Sequence, residues 1–109
     1  SRDARVVDAY VNDTLNYQGQ VKARMGREMM LAGRAVLGRA PEITLPVLVV
    51  QGEADRLVSP AGTYAVFAAF ASADKTLRKY PGAYHEVLNE PEQTEIIALI
   101  RDWLDAHRQ

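Results

Sequence analysis

Leu45-Pro46-Val47-Leu48-Val49-Val50-Gln51-Gly52-Glu53-Ala54-Asp55-Arg56 opens as a short apolar run and breaks at a glycine into an acidic loop. A Val-rich run of this length, without alternation, predicts a strand over 45–51 covered on both faces, as in a parallel sheet. Residues 52–59 follow as a loop. Ser59-Pro60 then predicts a helix start, with the serine as N-cap and the proline at the first helical position, where a missing N–H costs nothing. Tyr64, Phe67, Ala68 and Ala71 share one face of that helix. A second strand is predicted over 75–80, ended by Pro81-Gly82. Pro91 opens a last helix whose stripe runs Ile96, Ile97, Ile100, Trp103, Leu104 and His107. The order strand, helix, strand, helix is that of a parallel pair joined by a right-handed crossover, an α/β arrangement.

Upstream of Pro41 the pattern is helical. Val6, Val7, Tyr10 and Val11 form a stripe after Asp3, an N-cap candidate, and Asn12-Asp13 and Asn16-Tyr17-Gln18-Gly19 read as breaks. Over 20–37, Val21, Met25, Met29, Ala32 and Val36 recur every three or four residues, one face of an amphipathic helix that Gly38 would stop. The chain thus divides into a helical segment, 1–40, and a strand-helix-strand-helix segment, 41–109. Two parallel strands are a poor folding unit, since their outer edges want neighbours, so further sheet is expected outside this chain. Ser1-Arg2-Asp3 has neither an initiator Met nor signal-peptide character, and the true start is expected upstream.

Thirteen basic against fourteen acidic side chains leave a net charge of −1, which argues against an electrostatic hold on nucleic acid or on an anionic membrane. Apolar contact with a membrane surface stays open. The absence of cysteine removes disulfide and thiolate chemistry. With His85 and His107 as the two histidines, a zinc site built from His and Cys is not expected.

In open parallel sheets, functional groups gather in the loops beyond the strands' carboxyl ends. Asp55 follows the first strand and His85 the second. Neighbouring parallel strands would bring both to one edge, where the carboxylate can accept the imidazole Nδ1–H and fix its tautomer. Equally, the aspartate can be a solvated turn residue and the histidine a packing group. Glu53, Asp55 and Glu86 form a poor metal set without a phosphate loop. Glu90, Glu92 and Glu95 read as a solvated acidic helix start, favourable against the dipole. His107 is expected to pack, half-buried, on the last helix, and Trp103 to anchor the core. Of the serines, Ser59 reads as a cap, Ser72 has no base in view and Ser1 is terminal.

The segment from Leu45 to Val58 resembles the strand and acid loop of α/β-hydrolases of the monoacylglycerol lipase group. The later run Asp74-Lys75-Thr76-Leu77-Arg78-Lys79-Tyr80-Pro81-Gly82-Ala83-Tyr84-His85-Glu86 is similar to that group's final strand and histidine loop. Residues 1–13 and the Met-containing helix resemble its cap-proximal segment. The resemblance implies the C-terminal portion of an α/β-hydrolase, with Asp55 as triad acid and His85 as general base. It also implies Leu57 and Val58 in the acyl pocket and the 20–37 helix along the lipid-access channel. The implied substrate is a monoacylglycerol or similar lipid ester, with no metal or organic cofactor, in a cytoplasmic or membrane-peripheral setting. A lysophospholipase, a small-ester esterase or a non-catalytic α/β binding module are the alternatives. The family's Gly-x-Ser-x-Gly elbow and oxyanion-hole His-Gly do not occur in the 109 residues. Both precede the acid and the histidine in the family's chain order, so an N-terminal half is the implied partner and this chain alone is expected to be inactive.

Overall fold

In the computed structural model, which describes residues 1–108, β1 (Val47–Gly52) and β2 (Lys75–Tyr80) pair in parallel. The register runs from Val47 opposite Lys75 to Gly52 opposite Tyr80, so both strands end level. Backbone bonds extend the ladder at each end: Val47 N–H donates to the Asp74 carbonyl at 2.9 Å and Glu53 N–H to the Tyr80 carbonyl at 3.0 Å. The crossover is α3 (Pro60–Ala69), and α4 (Gln93–Ala106) follows β2. This is the expected α/β order. Preceding it are α1 (Ala4–Asn12), α2 (Ala23–Arg39) and a 3-10 turn at Ala40–Glu42.

Local chemistry accounts for most of the boundaries. The Asp3 carboxylate caps α1 by accepting the Arg5 N–H. Lys75 Nζ donates to the carbonyls of Phe67, Ala68 and Phe70 at 3.1, 3.2 and 2.8 Å, closing the C-terminus of α3 from the first residue of β2. A cation at that end also suits the helix dipole. After β2 the chain turns at Gly82, whose φ of 77° is open to glycine and strained for other residues.

Several boundaries differ from expectation. The second helix begins at Ala23 rather than 20 and runs through Gly38 to Arg39, because the 3-10 turn lets the chain tighten without a left-handed stop. Ser59 holds the N-cap position, but its side chain makes no cap bond. Its carbonyl instead accepts from Gly62 and Thr63. Ala71 lies beyond the end of α3. Pro91 does not open α4, since a 3-10 turn at Val87–Asn89 comes first and Glu92 is the N-cap.

The larger correction concerns cover. β1 is half-buried over Val47–Val50 rather than enclosed on both faces. Val21, Met25, Met29 and Val36 of the second-helix stripe are each more than half exposed, and α2 contributes no buried residue. Ala40, Ala83 and Ile96 make up the fully buried apolar set among the described residues. The accessible surface is 8243 Å², against roughly 6,000 Å² for a compact monomer of this size. The radius of gyration is 16.0 Å, against roughly 13 Å. Among the described residues no helix is long and apolar enough to cross a membrane.

Gly52 packs directly against the backbone of the loop after β2. A Cβ there would come within 3.0 Å of the Ala83 and Tyr84 carbonyl oxygens. Gly52→Ala is therefore expected to destabilise the protein by about 1–3 kcal/mol. A urea midpoint unchanged from that of the parent would contradict this packing.

Candidate active site

The level strand ends deliver two loops to one edge, and the backbone locks them together before any side chain acts. Ala54 N–H, in the loop after β1, donates to the Ala83 carbonyl, in the loop after β2, at 3.0 Å. Across this junction His85 Nδ1 lies 2.9 Å from Asp55 Oδ2, between residues thirty positions apart. The Asp55 side chain is 3% exposed and that of His85 44%. One partner is thus sealed and the other open to an incoming molecule.

The two carboxylate oxygens of Asp55 divide their work. Oδ1 accepts the backbone N–H groups of Leu57 at 2.8 Å and Val58 at 3.0 Å, a turn closed by the side chain on its own loop. Oδ2 is left for the imidazole, with the Gln51 amide at 3.5 Å beside it. Burial pushes the Asp55 carboxyl up, but the Val58 N–H, His85 and the Leu57 N–H outweigh it and hold the pKa at about 2. An ionised carboxylate only accepts, so Nδ1 carries the proton and the neutral ring keeps a basic lone pair on Nε2.

His85 lines a pocket of about 390 Å³, within the size range of small-molecule sites. Val6, Val7 and Tyr10 of α1 line it together with Leu57 and Tyr84. Leu57 is among the residues lining this pocket; Val58 is not, and its backbone N–H goes to Asp55 Oδ1. No residue of α2 lines this pocket.

The family described as serine aminopeptidase, S33, matches residues 1–92. The chain belongs to this α/β-hydrolase family. It is 40% identical over 107 residues to a monoacylglycerol lipase of Mycolicibacterium smegmatis, covering 98% of this chain and 38% of that protein. It is 39% identical over 110 residues to the monoglyceride lipase of Rattus norvegicus, covering 99% and 36%. The crystal structure of a Paleococcus ferrophilus monoacylglycerol lipase superposes with a TM-score of 0.90 at 29% identity, over 99% of this chain and 42% of that one. The chain thus spans about two fifths of the length of these relatives.

Two features of this α/β-hydrolase chain escaped the sequence reading. The α1 wall is one; residues 6–10 carry no signal that they face a loop more than seventy positions away. Glu90 is the other. Expected in solvent, it is 2% exposed, and it accepts the Arg2 N–H at 3.0 Å and Arg2 Nε at 2.6 Å. A guanidinium 88 positions away leaves no local pattern to find. Glu92 pairs with the same guanidinium.

The remaining candidates lie elsewhere. The Ser72 hydroxyl donates to the Asp74 carbonyl and that of Ser1 to the Asn89 carbonyl. Among the described residues, no three acidic or histidine side chains gather as a metal site. His107 stacks on Trp103 at 4.0 Å and reaches Asp74 at 2.8 Å, away from the pocket.

The lowered Asp55 pKa has a consequence for stability. Because the folded value, about 2, lies below the ordinary 3.8, the carboxylate stabilises the fold fully above about pH 4. That contribution fades as the pH falls through 2. Asp55→Asn is expected to flatten the stability profile between pH 4 and 2. Parallel profiles for the two proteins, followed by urea midpoints, would show that Asp55 is not held ionised in the fold.

Proposed function

We propose that this chain carries the acid and the base of a serine hydrolase acting on lipid esters, with monoacylglycerol as the substrate. The observation that carries the reading is the contact between the sealed Asp55 carboxylate and the exposed His85 ring beside an apolar-walled pocket. The lipase relatives support the substrate class, and the pocket walls of Val6, Val7, Tyr10 and Leu57 suit an acyl chain.

In this mechanism a serine from sequence outside the chain attacks the ester carbonyl. His85 Nε2 takes the hydroxyl proton as the carbon–oxygen bond forms, and Asp55 stabilises the imidazolium. The proton then passes to the departing glycerol oxygen, leaving an acyl-enzyme. Water is activated in the same way and releases the fatty acid, which restores the serine. Asp55 stays ionised throughout, as its donor set favours. The apolar faces of α2 and the free edge of β1 are covered, on this reading, by the remainder of the longer protein.

His85→Ala and Asp55→Asn in the intact protein are expected to lower kcat by about 10⁴-fold with the fold preserved. Activity within a few-fold of the parent in either variant would remove these roles. A fluorophosphonate probe is expected to label a serine of the intact protein and to leave residues 1–109 alone unlabelled. Labelling of Ser59 would assign the nucleophile to this chain instead.

A further inference from the structure

Residues 1–3 are tied to the segment after the histidine loop by bonds that the proposed reaction leaves unused. The Ser1 hydroxyl donates to the Asn89 carbonyl and accepts the Asp3 N–H at 2.9 Å. Arg2 meets both oxygens of Glu90, Oε1 through its backbone N–H at 3.0 Å and Oε2 through Nε at 2.6 Å. The same guanidinium pairs with Glu92 and lies against the turn after β2, where a Cβ on Gly82 would come 3.7 Å from Nη1. The Glu90 side chain has no accessible surface. Replacing such a buried pair by apolar groups often costs a fold nothing, so stability alone is a weak reason for its presence.

The position of α1 supplies a better one. Asp3, whose carboxylate caps α1, directly follows Arg2, and no residue of that helix is buried. Val7 and Tyr10 are 45% and 50% exposed, yet both line the pocket beside His85. Packing therefore does little to fix these lining residues, and the polar ties at the helix entry set where α1 begins. Asn89 closes the 3-10 turn that starts two residues after His85, so the ties seat α1 against the histidine loop. Tyr10 lies roughly 10 Å along the helix from the Asp3 cap at 1.5 Å per residue. A small tilt at the entry thus becomes a displacement of the pocket lining.

We infer that Glu90, through Arg2, is a positioning residue for α1 in the substrate pocket. It governs how tightly a substrate that fills the pocket is held beside His85, and it takes no part in the proton transfer. The inference rests on the hydrolase reading for its effect on substrate, whereas the tie between Glu90 and α1 stands apart from that reading.

The test uses the intact protein and two esters, a medium-chain monoacylglycerol large enough to fill the pocket and para-nitrophenyl acetate, which is not. Glu90→Gln sets an amide NH₂ against an Arg2 donor, so one of the two bonds is lost. KM for the monoacylglycerol is expected to rise about tenfold with kcat held within a few-fold, the pattern of lost uniform binding. Both constants for the acetate should stay near those of the parent. Hydrogen exchange over α1 should quicken about tenfold, because the helix opens more readily. An unchanged KM or unchanged exchange in folded Glu90→Gln would overturn the inference. So would an equal loss of kcat on both esters, which would place the effect on the catalytic pair. Should Glu90→Gln fail to fold, Arg2→Met combined with Glu90→Leu removes the pair in apolar form, and the same readouts decide. A parent protein that hydrolyses neither ester would refute the hydrolase reading; quickened exchange in Glu90→Gln would then still support the tie to α1, and unchanged exchange would overturn it.

Discussion

The site depends on one constraint: two strands lying parallel in a register that ends them level. With Gly52 opposite Tyr80, the loops leave the same edge at the same height, and thirty residues of sequence separation collapse to one hydrogen bond. Side-chain chemistry comes second. The Ala54 to Ala83 backbone bond and the close approach at Gly52 join the loops through main-chain atoms alone. A side chain at position 52 would part them whatever stood at 55 and 85. A strand slipped by one residue would turn its whole side-chain set to the other face.

Two carboxylates of this chain have sealed side chains, and their partners differ in kind. Asp55 is ionised by two N–H groups of its own loop and by an imidazole, partners that leave Oδ2 aimed at a group free to exchange protons. Glu90 is ionised by a guanidinium, which does not deprotonate, so it can only hold. One carboxylate thus faces a ring that can exchange protons and the other a permanent cation.

What could be read from the sequence was what local pattern controls. The strand runs, the loops at their ends and the Asp3 cap are set by neighbours within a few positions, and the acid and histidine loops follow from the strand order. The Glu90 partner was illegible because an ion pair between positions 2 and 90 has no periodicity or spacing to betray it. Position 90 next to Pro91 and Glu92 looks like any acidic helix entry. Helix ends shifted for a related reason: the 3-10 turns at Ala40–Glu42 and Val87–Asn89 carry no composition that distinguishes them from a terminal helical turn. The stripe of α2 was legible as a stripe, but amphipathicity states that a face wants cover and not which element provides it.

That distinction also locates what this chain holds by itself. Exposed apolar side chains are most numerous on α1 and α2, whereas the contacts that fix Asp55 against His85 come from the loops after β1 and β2. Trp103 marks the same boundary, its Nε1–H buried without a partner among the described residues, beside the half-covered β1. On the proposed function, an acid and base whose geometry is internally determined need only be docked against a nucleophile, not assembled with it. The precision lies in the junction of the two loops, and the remaining apolar faces supply the area through which the rest of an α/β-hydrolase would hold that junction in place.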